Sequence, residues 1–212
     1  MKRLLITILS ITVLFSSAQD RLSIGLGSNG IGASFQGKIN SKFSIGSSAT
    51  VLALQGSMQN SVLDNILSTR FRTSTLLVEG FAKWQANKRM FVKGGLAYNH
   101  SPVYRAHSTF YEKVLIGSFE LNKDQVGVVN TTVRTNRIQP YLGMGYSVIN
   151  TKNWFLDVEG GVYFHGRPTT KMDATGVLHL NDENEATIRR LIAPYFFFPL
   201  LKIETGIKIN HH

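Results

Sequence analysis

The chain has 212 residues, a formal net charge of +10 and no cysteine. Without cysteine it can form neither disulfide bonds nor thiolate metal sites, so strand pairing and packing have to stabilise the fold. A positive charge can suit nucleic acid, but the sequence contains no run of lysine and arginine. We therefore expect anionic lipid headgroups as the counter-charge, and no nucleic-acid partner.

The N-terminus has the pattern of an export signal. Lys2 and Arg3 give a basic start, Leu4 to Phe15 is an apolar run, and Ser16-Ser17-Ala18 forms a small-residue cleavage site. A membrane anchor is the alternative, but about twelve apolar residues are short of the roughly 20 that span a bilayer as a helix. The sequence thus predicts a cleaved signal peptide at 1–18 and one mature domain at 19–212.

The mature sequence alternates with a period of two between large apolar residues and small or charged ones. From Leu142 to Val148 the even positions are large, and the odd positions are glycine or serine. From Trp154 to Phe164 the large residues alternate with residues such as Asp157 and Glu159. Successive side chains of a strand point to opposite faces, so one face is apolar and the other is bare or charged. The pattern is typical of a β-barrel with lipid outside and a polar lumen.

Short basic turns at 40–42, 86–89 and 151–153 alternate with long polar stretches at roughly 55–68, 100–136 and 166–195. Bacterial barrels have short periplasmic turns and long outer loops. The sequence therefore predicts an all-β fold: an eight-stranded antiparallel up-and-down transmembrane β-barrel with long extracellular loops and one short loop helix. The predicted strands are Arg21–Gly27, Ile31–Ile39, Phe43–Leu54, Thr73–Gln85, Met90–Asn99, Arg137–Ile149, Trp154–His165 and Phe197–Asn210.

The sequence also predicts a tight turn between the first two strands and a helix in the last polar stretch. Ser28-Asn29-Gly30 predicts a hairpin turn between the first two strands, but Arg21 to Ile39 could instead form one long bent strand, because glycine-rich strands specify register poorly. In the last polar stretch, Asp182 and Glu185 have capping-box spacing and Pro194 ends the pattern, which predicts the loop helix.

The C-terminal third carries a family resemblance. Its residues are Pro140-Tyr141-Leu142-Gly143-Met144-Gly145-Tyr146, Trp154, Asp157, Gly161 to Gly166, Pro168 and Gly206. In these residues the chain resembles the small outer-membrane β-barrel proteins of Gram-negative bacteria that share the eight-stranded OmpA-type barrel. The resemblance implies insertion into the cell outer membrane by the barrel-assembly machinery, and implies no activity. Such chains usually end in an aromatic residue, whereas this one ends in His211 and His212; either His211 takes that role or the terminus has been altered.

Strand parity predicts a lumen with nearly balanced charges. An eight-stranded barrel is just wide enough to be filled by side chains, so we expect an ion-pair network that plugs the lumen rather than an open pore. Asp157 and Glu159 could suggest acid/base catalysis, but neighbouring lysines favour ion pairing. The register places Glu79 opposite Gly95 and diagonal to Lys93. The predicted network is Lys38, Glu79, Lys83, Lys93, Arg137, Asp157, Glu159, Lys202, Glu204 and Lys208.

Three arginines on the outward parity predict a lipopolysaccharide site. Arg72 lies twelve residues before Trp84, or roughly 30 Å along a tilted strand, which is one hydrocarbon thickness. Trp84, with Phe43 and Trp154, lies near a short turn, where interfacial aromatic residues occur. Arg70, Arg72 and Arg134 would then lie at or above the outer interface, where they could bind lipopolysaccharide phosphates. The alternative is ordinary solvated loop charge.

The sequence contains only weak indications of a catalytic or metal site. His165 with Ser101 or Asp173 could form the active site of a lipid-modifying enzyme. The sequence contains no motif of such enzymes, however, and histidines at strand ends are usually polar rim residues. We expect no catalytic residues, cofactor or metal site.

The sequence favours an outer-membrane barrel with a structural or surface-interaction role, whose partners are outer-membrane lipids and an unidentified loop partner. A narrow pore for small solutes and a lipid-modifying enzyme are the alternatives. A secreted soluble barrel that carries an apolar ligand is a further alternative, but it would leave Gly143, Gly145 and Ser147 outside.

Overall fold

The computed structural model describes residues 20–62, 65–110, 114–116, 119–122, 126–176, 190 and 196–209. Three predictions fall on residues outside this set. They are the signal peptide at 1–18, the loop helix from Asp182 apart from Arg190, and the role of the terminal His211 and His212. All three stay predictions.

The described residues form strands of very different length. The longest two, β3 and β4, form a hairpin whose arms pair along their whole length, from Phe43 opposite Trp84 to Val62 opposite Asn65. In chain order the strands are β1 (Asp20–Gly27), β2 (Gly30–Lys38), β3 (Phe43–Val62), β4 (Asn65–Gln85), β5 (Met90–Asn99), β6 (Val103–Phe110), β7 (Val114–Ile116), β8 (Phe119–Leu121), β9 (Val128–Arg134), β10 (Ile138–Asn150), β11 (Trp154–Phe164), β12 (Thr169–Ala174) and β13 (Phe197–Ile209).

Eight of these strands close into an antiparallel ring. Their order is β4-β3-β2-β1-β13-β11-β10-β5, and β5 pairs back onto β4. Every strand of the ring therefore has a hydrogen-bonded neighbour on both sides, which removes the exposed edges of an open sheet. The eight are the predicted strands, and their bounds agree with the prediction within one residue, except where β3 and β4 continue beyond it.

The first two strands form a hairpin. A two-residue turn at Ser28 and Asn29 separates β1 from β2. Gly30 follows with φ of 108°, a left-handed conformation that glycine adopts readily. The alternative of one long bent strand is therefore wrong.

The polar stretches contain further strands. Up to Thr73, β4 pairs with β6, whereas from Leu77 onward it pairs with β5. Strands β9 and β12 continue from β6, so the outer part of β4 together with β6, β9 and β12 forms what we call the outer sheet. The predicted loops at 55–68 and 100–136 are thus largely strands where they are described. They carry polar residues on both faces, and so lack the apolar alternation that reveals a strand.

The two faces of the ring differ sharply in composition. The outward face carries large apolar residues such as Leu142, Met144 and Ile203, and Met144 is 68% exposed. The inward face carries charged residues, and Glu79 is only 2% exposed. This arrangement inverts that of a water-soluble protein, whose fully buried residues are mostly apolar. Among the described residues, no helix has the length and apolar character needed to cross a membrane.

Gly30 provides a test of the first hairpin. A Cβ atom at Gly30 would lie 2.1 Å from the Val51 carbonyl oxygen, in addition to the unfavourable φ. We expect Gly30→Ala to lower the free energy of unfolding by about 1–3 kcal/mol, measured by urea unfolding with tryptophan fluorescence. Gly80→Ala is the control, because a Cβ there meets nothing within 4 Å. Equal stability of the two variants would contradict this account of the turn.

Candidate functional site: a charged interior and a basic sheet face

The interior of the ring is built by pairing glycines with long side chains. A Cβ at Gly145 would lie 2.1 Å from the Phe91 ring, and one at Gly46 would lie 2.5 Å from the Phe81 ring. A Cβ at Gly143 would approach a Glu159 carboxylate oxygen at 2.9 Å. The small residues on the inward parity therefore leave the space in which the charged and aromatic side chains pack.

Four close contacts between opposite charges lie inside the ring. Lys83, Lys93, Lys202, Asp157 and Glu159 are all buried, and Glu204 is nearly so. Each ammonium contacts a carboxylate, which offsets part of the cost of removing both charges from water. The distances are 2.7 Å for Lys83–Asp157, 3.1 Å for Lys93–Glu159, 3.3 Å for Lys202–Glu204 and 3.7 Å for Arg21–Asp157.

Glu79 has different partners from those the sequence suggests. It lies opposite Ala97 rather than Gly95, because Gln85 pairs with Phe91 across the turn. Its carboxylate accepts hydrogen bonds from the hydroxyl groups of Ser48 and Tyr163. The predicted contact between Glu79 and Lys93 is therefore wrong. Neutral hydroxyl groups, rather than the Lys93 ammonium, donate to the Glu79 carboxylate.

Aromatic rings complete the interior. The Lys83 ammonium lies 3.7 Å from the Phe91 ring centroid, and the Lys93 ammonium lies 4.2 Å from that of Phe81. Arg21 lies 4.8 Å from the centroid of Phe155. In each of these cation–π contacts the face of the ring attracts the cation electrostatically. All of these residues have the inward parity, but the predicted network contained only charged side chains and did not include Arg21.

Three predicted members of the network lie at its ends. Lys38 and Lys208 line the open end of the ring near the short turns. The Lys208 ammonium donates to Asn150 Oδ1 at 2.5 Å and to the Thr151 carbonyl at 2.6 Å. Arg137 is exposed and immediately precedes β10. All three share the inward parity, but near the ends of strands parity no longer guarantees burial.

Little empty space remains within the ion-pair layer. A cavity of about 10 Å³ lies among its side chains, including Lys83, Lys93 and Glu159. This volume is about what one water molecule requires. Further along the axis, away from the short turns, a second cavity of about 30 Å³ lies between Tyr163, Gln139 and Asn99. The described side chains thus fill the middle of the ring.

The outer sheet carries a second group of cations on one face. Arg72 lies opposite Arg105 on β6, and Arg105 lies opposite Thr132 on β9, which lies opposite Lys171 on β12. Residues directly opposite one another in a sheet share a face. One row away, Arg134 lies opposite Val103. We call this surface the basic sheet face; it comprises the exposed residues Arg70, Arg72, Arg105, Arg134 and Lys171.

Arg105 and Lys171 were missed because their strands were predicted to be loops. Asp173 is an acid on this face, 3.7 Å from Lys171, and both are exposed. His107, opposite Arg70, contacts Asn130 Oδ1 through Nδ1 at 2.8 Å. The three predicted arginines therefore lie on one continuous surface with two further cations.

The histidine considered for catalysis has a backbone contact. Nδ1 of His165 lies 2.9 Å from the carbonyl oxygen of Gly166, next in sequence. Within the described ranges, there is no group of three or more His, Cys, Asp or Glu side chains that could hold a metal ion.

The comparisons with known proteins identify the fold. No family model and no curated protein sequence matches the chain. Among solved structures, Acinetobacter baumannii CarO2 is similar, with a TM-score of 0.66 and 18% identity over 91% of this chain and 99% of that one. Acinetobacter baumannii CarO has a TM-score of 0.61 and 20% identity over 90% and 97%. These similarities support a shared fold, and membership of the OmpA-type family stays a prediction.

The buried pair Lys93–Glu159 can be tested against an exposed one. We expect Glu159→Gln to lower the free energy of unfolding by about 3–5 kcal/mol, because it leaves the buried Lys93 ammonium without its carboxylate. Urea unfolding would measure this. Asp173→Asn removes a carboxylate from an exposed pair and should change stability by less than about 1 kcal/mol. Equal losses in both variants would contradict the importance of burial.

Proposed function

We propose that the chain is an integral outer-membrane β-barrel protein with a structural or surface-interaction role and a plugged lumen. The observation that supports this best is the inverted ring, with large apolar side chains outside and ion pairs inside. A bilayer solvates such an outward face, whereas water does not. A soluble barrel that carries an apolar ligand would instead need an apolar interior.

The aromatic residues support this orientation. Phe43, Trp84 and Trp154 are exposed on the outward face next to the short turns. Tyr98 and Phe164 are exposed near the opposite ends of their strands. Two levels of exposed aromatic rings match the two interfaces of a membrane. The short turns would then face the periplasm, and the outer sheet would stand on the outside of the cell.

The interior supports a role without solute passage. The charged side chains contact one another, and the cavity left among them has room for about one water molecule. Opening a path would require several buried ion pairs to separate at once. We therefore favour a plug over a narrow pore.

An arginine on the outward face distinguishes a membrane protein from a soluble one. Leu142→Arg would place a cation in lipid and should lower the free energy of unfolding by roughly 2–4 kcal/mol if the residue lies near the midplane. Met58→Arg is the control, because Met58 is equally exposed but lies on the extension of β3 paired with the outer part of β4, on the face that continues the inward parity. Folding into bilayers followed by gel mobility before and after heating would measure the difference. If both variants folded equally well, the apolar belt would not lie in lipid.

Conductance tests the plug. We expect the purified protein to show no steady large conductance in planar bilayers, because paired side chains fill the middle of the ring. Glu159→Gln, if it folds, should show more frequent transient openings than the unmodified protein. Steady channels in the nanosiemens range in the unmodified protein would favour the narrow pore instead.

We further propose that the basic sheet face binds lipopolysaccharide. Its cations lie on the outward face of strands that continue above the apolar belt. The guanidinium groups of Arg72 and Arg105 lie on directly opposite residues, and planar guanidinium forks suit phosphate oxygens. Such a row of like charges is unfavourable without a counter-anion, and lipid phosphates in the outer leaflet would supply one.

Removal of these charges should weaken lipid retention. We expect the triple variant Arg72→Gln, Arg105→Gln, Arg134→Gln to copurify with less lipopolysaccharide per barrel, and high salt should weaken retention in the unmodified protein. The control is Lys88→Gln, Arg89→Gln, Lys152→Gln, which removes the same charge from the short turns. Equal retention in the folded triple variant and in the unmodified protein would reduce the basic sheet face to ordinary solvated charge.

A further inference from the structure

The end of the ring near the short turns opens into a basin that the proposed function does not use. Its volume is about 460 Å³, within the range of small-molecule sites. None of the described residues that line it is acidic. Six of its lining residues are cations: Arg21, Lys38, Lys42, Lys88, Arg89 and Lys208.

The ring itself directs half of these cations toward its axis. Arg21 lies opposite Lys208 on β13 and opposite Gln36 on β2. Lys38, two residues beyond Gln36, lies opposite Ser44. These residues all have the inward parity. The remaining three cations come from the turns at 40–42 and 86–89 and form the rim.

The charges of the basin are only partly compensated. Asp157 lies 3.7 Å from Arg21, but the same carboxylate oxygen is bonded to Lys83 at 2.7 Å. Lys208 donates to a neutral amide and a carbonyl oxygen. Arg89 donates to the Tyr146 hydroxyl at 2.8 Å. The basin therefore keeps a net positive charge in the described structure.

Two buried polar atoms at the basin have no hydrogen-bond partner among the residues that the structure describes. They are Nη1 of Arg21 and Oγ of Ser147, and Ser147 is only 1% exposed. The contact of Arg21 with Asp157 is too long for a hydrogen bond. Leaving a buried donor unsatisfied is costly, and an anionic oxygen in the basin could accept from either group.

We propose that this basin binds a small soluble anion with several phosphate oxygens, of which inorganic pyrophosphate is the simplest representative. Arg21 offers a guanidinium donor, Ser147 a hydroxyl, and Lys38 and Lys208 ammonium groups from neighbouring strands. Charge-assisted hydrogen bonds of this kind are the strong ones. The inward parity of these residues favours a soluble anion over a lipid headgroup, which would approach along the outward face.

The floor of the basin makes it a binding site rather than an entrance. Beneath it lie the Lys83–Asp157 pair and Phe91, and the next cavity has about 10 Å³. An anion of several atoms cannot enter that space. Bound anion should therefore exchange only with the compartment that the short turns face.

Calorimetric titration of the folded full-length protein with pyrophosphate, in zwitterionic detergent, tests the proposal. We expect saturable binding that weakens with added salt, and about tenfold weaker binding in Lys38→Gln, which loses a charge-assisted bond. Lys88→Gln, in an exposed turn where folding is not at risk, should also weaken binding. Lys152→Gln is the control, because it removes a cation of the third short turn that does not line the basin.

The titration has outcomes that would contradict a pyrophosphate site in the basin. No saturable heat, or equal affinity in Lys38→Gln, Lys88→Gln and the unmodified protein, would overturn the proposal. An equal loss in Lys152→Gln would show attraction by net charge alone. A parallel arm uses phosphatidylglycerol vesicles with phosphatidylcholine vesicles as reference. Binding to the anionic vesicles that depends on Lys38, without binding of pyrophosphate, would replace the soluble anion by a lipid headgroup.

Discussion

Closure of the strand ring is the constraint on which the rest of the structure depends. Because β5 pairs back onto β4, all eight strands have both edges hydrogen-bonded, and the sheet has one inside and one outside. The middle of a ring this narrow is filled by side chains rather than by bulk water, so charges buried there have to contact opposite charges or other polar groups. The ion pairs, the cation–π contacts and the glycines opposite large rings all satisfy this requirement.

Much of the fold follows from the sequence, because an error of two residues in register does not change the face on which a side chain lies. The register between β4 and β5 differs by two residues from the predicted one, yet Glu79 and Lys93 stay on the inward face. A shift of two preserves the face and changes only the partner. The partner depends on how the backbone closes between Gln85 and Phe91, and that geometry is not visible in the composition of the turn.

The outer sheet was beyond sequence reasoning for a physical reason. Apolar and polar residues alternate along a strand only where one face of the strand lies against an apolar environment and the other does not. Strands β6, β9 and β12 carry polar residues on both faces, as do the outer parts of β3 and β4, so they resemble loops. The prediction therefore found Arg72 and Arg134 but missed β6, the strand that lies between β4 and β9 in the sheet, and with it Arg105.

The distribution of charge along the axis explains how so basic a chain can fill its own interior. In the described residues, Asp157, Glu159 and Glu204 lie in the middle layer, where each faces a lysine. The surplus cations lie at the two ends, on the basic sheet face and around the basin. The buried layer is thus close to neutral, as its desolvation requires, and it separates two positively charged surfaces. Arg21 connects the basin to this layer through Asp157, which also contacts Lys83. An anion bound in the basin should therefore act on the Lys83–Asp157 pair, whereas one bound on the basic sheet face, at Arg72 and Arg105, should not.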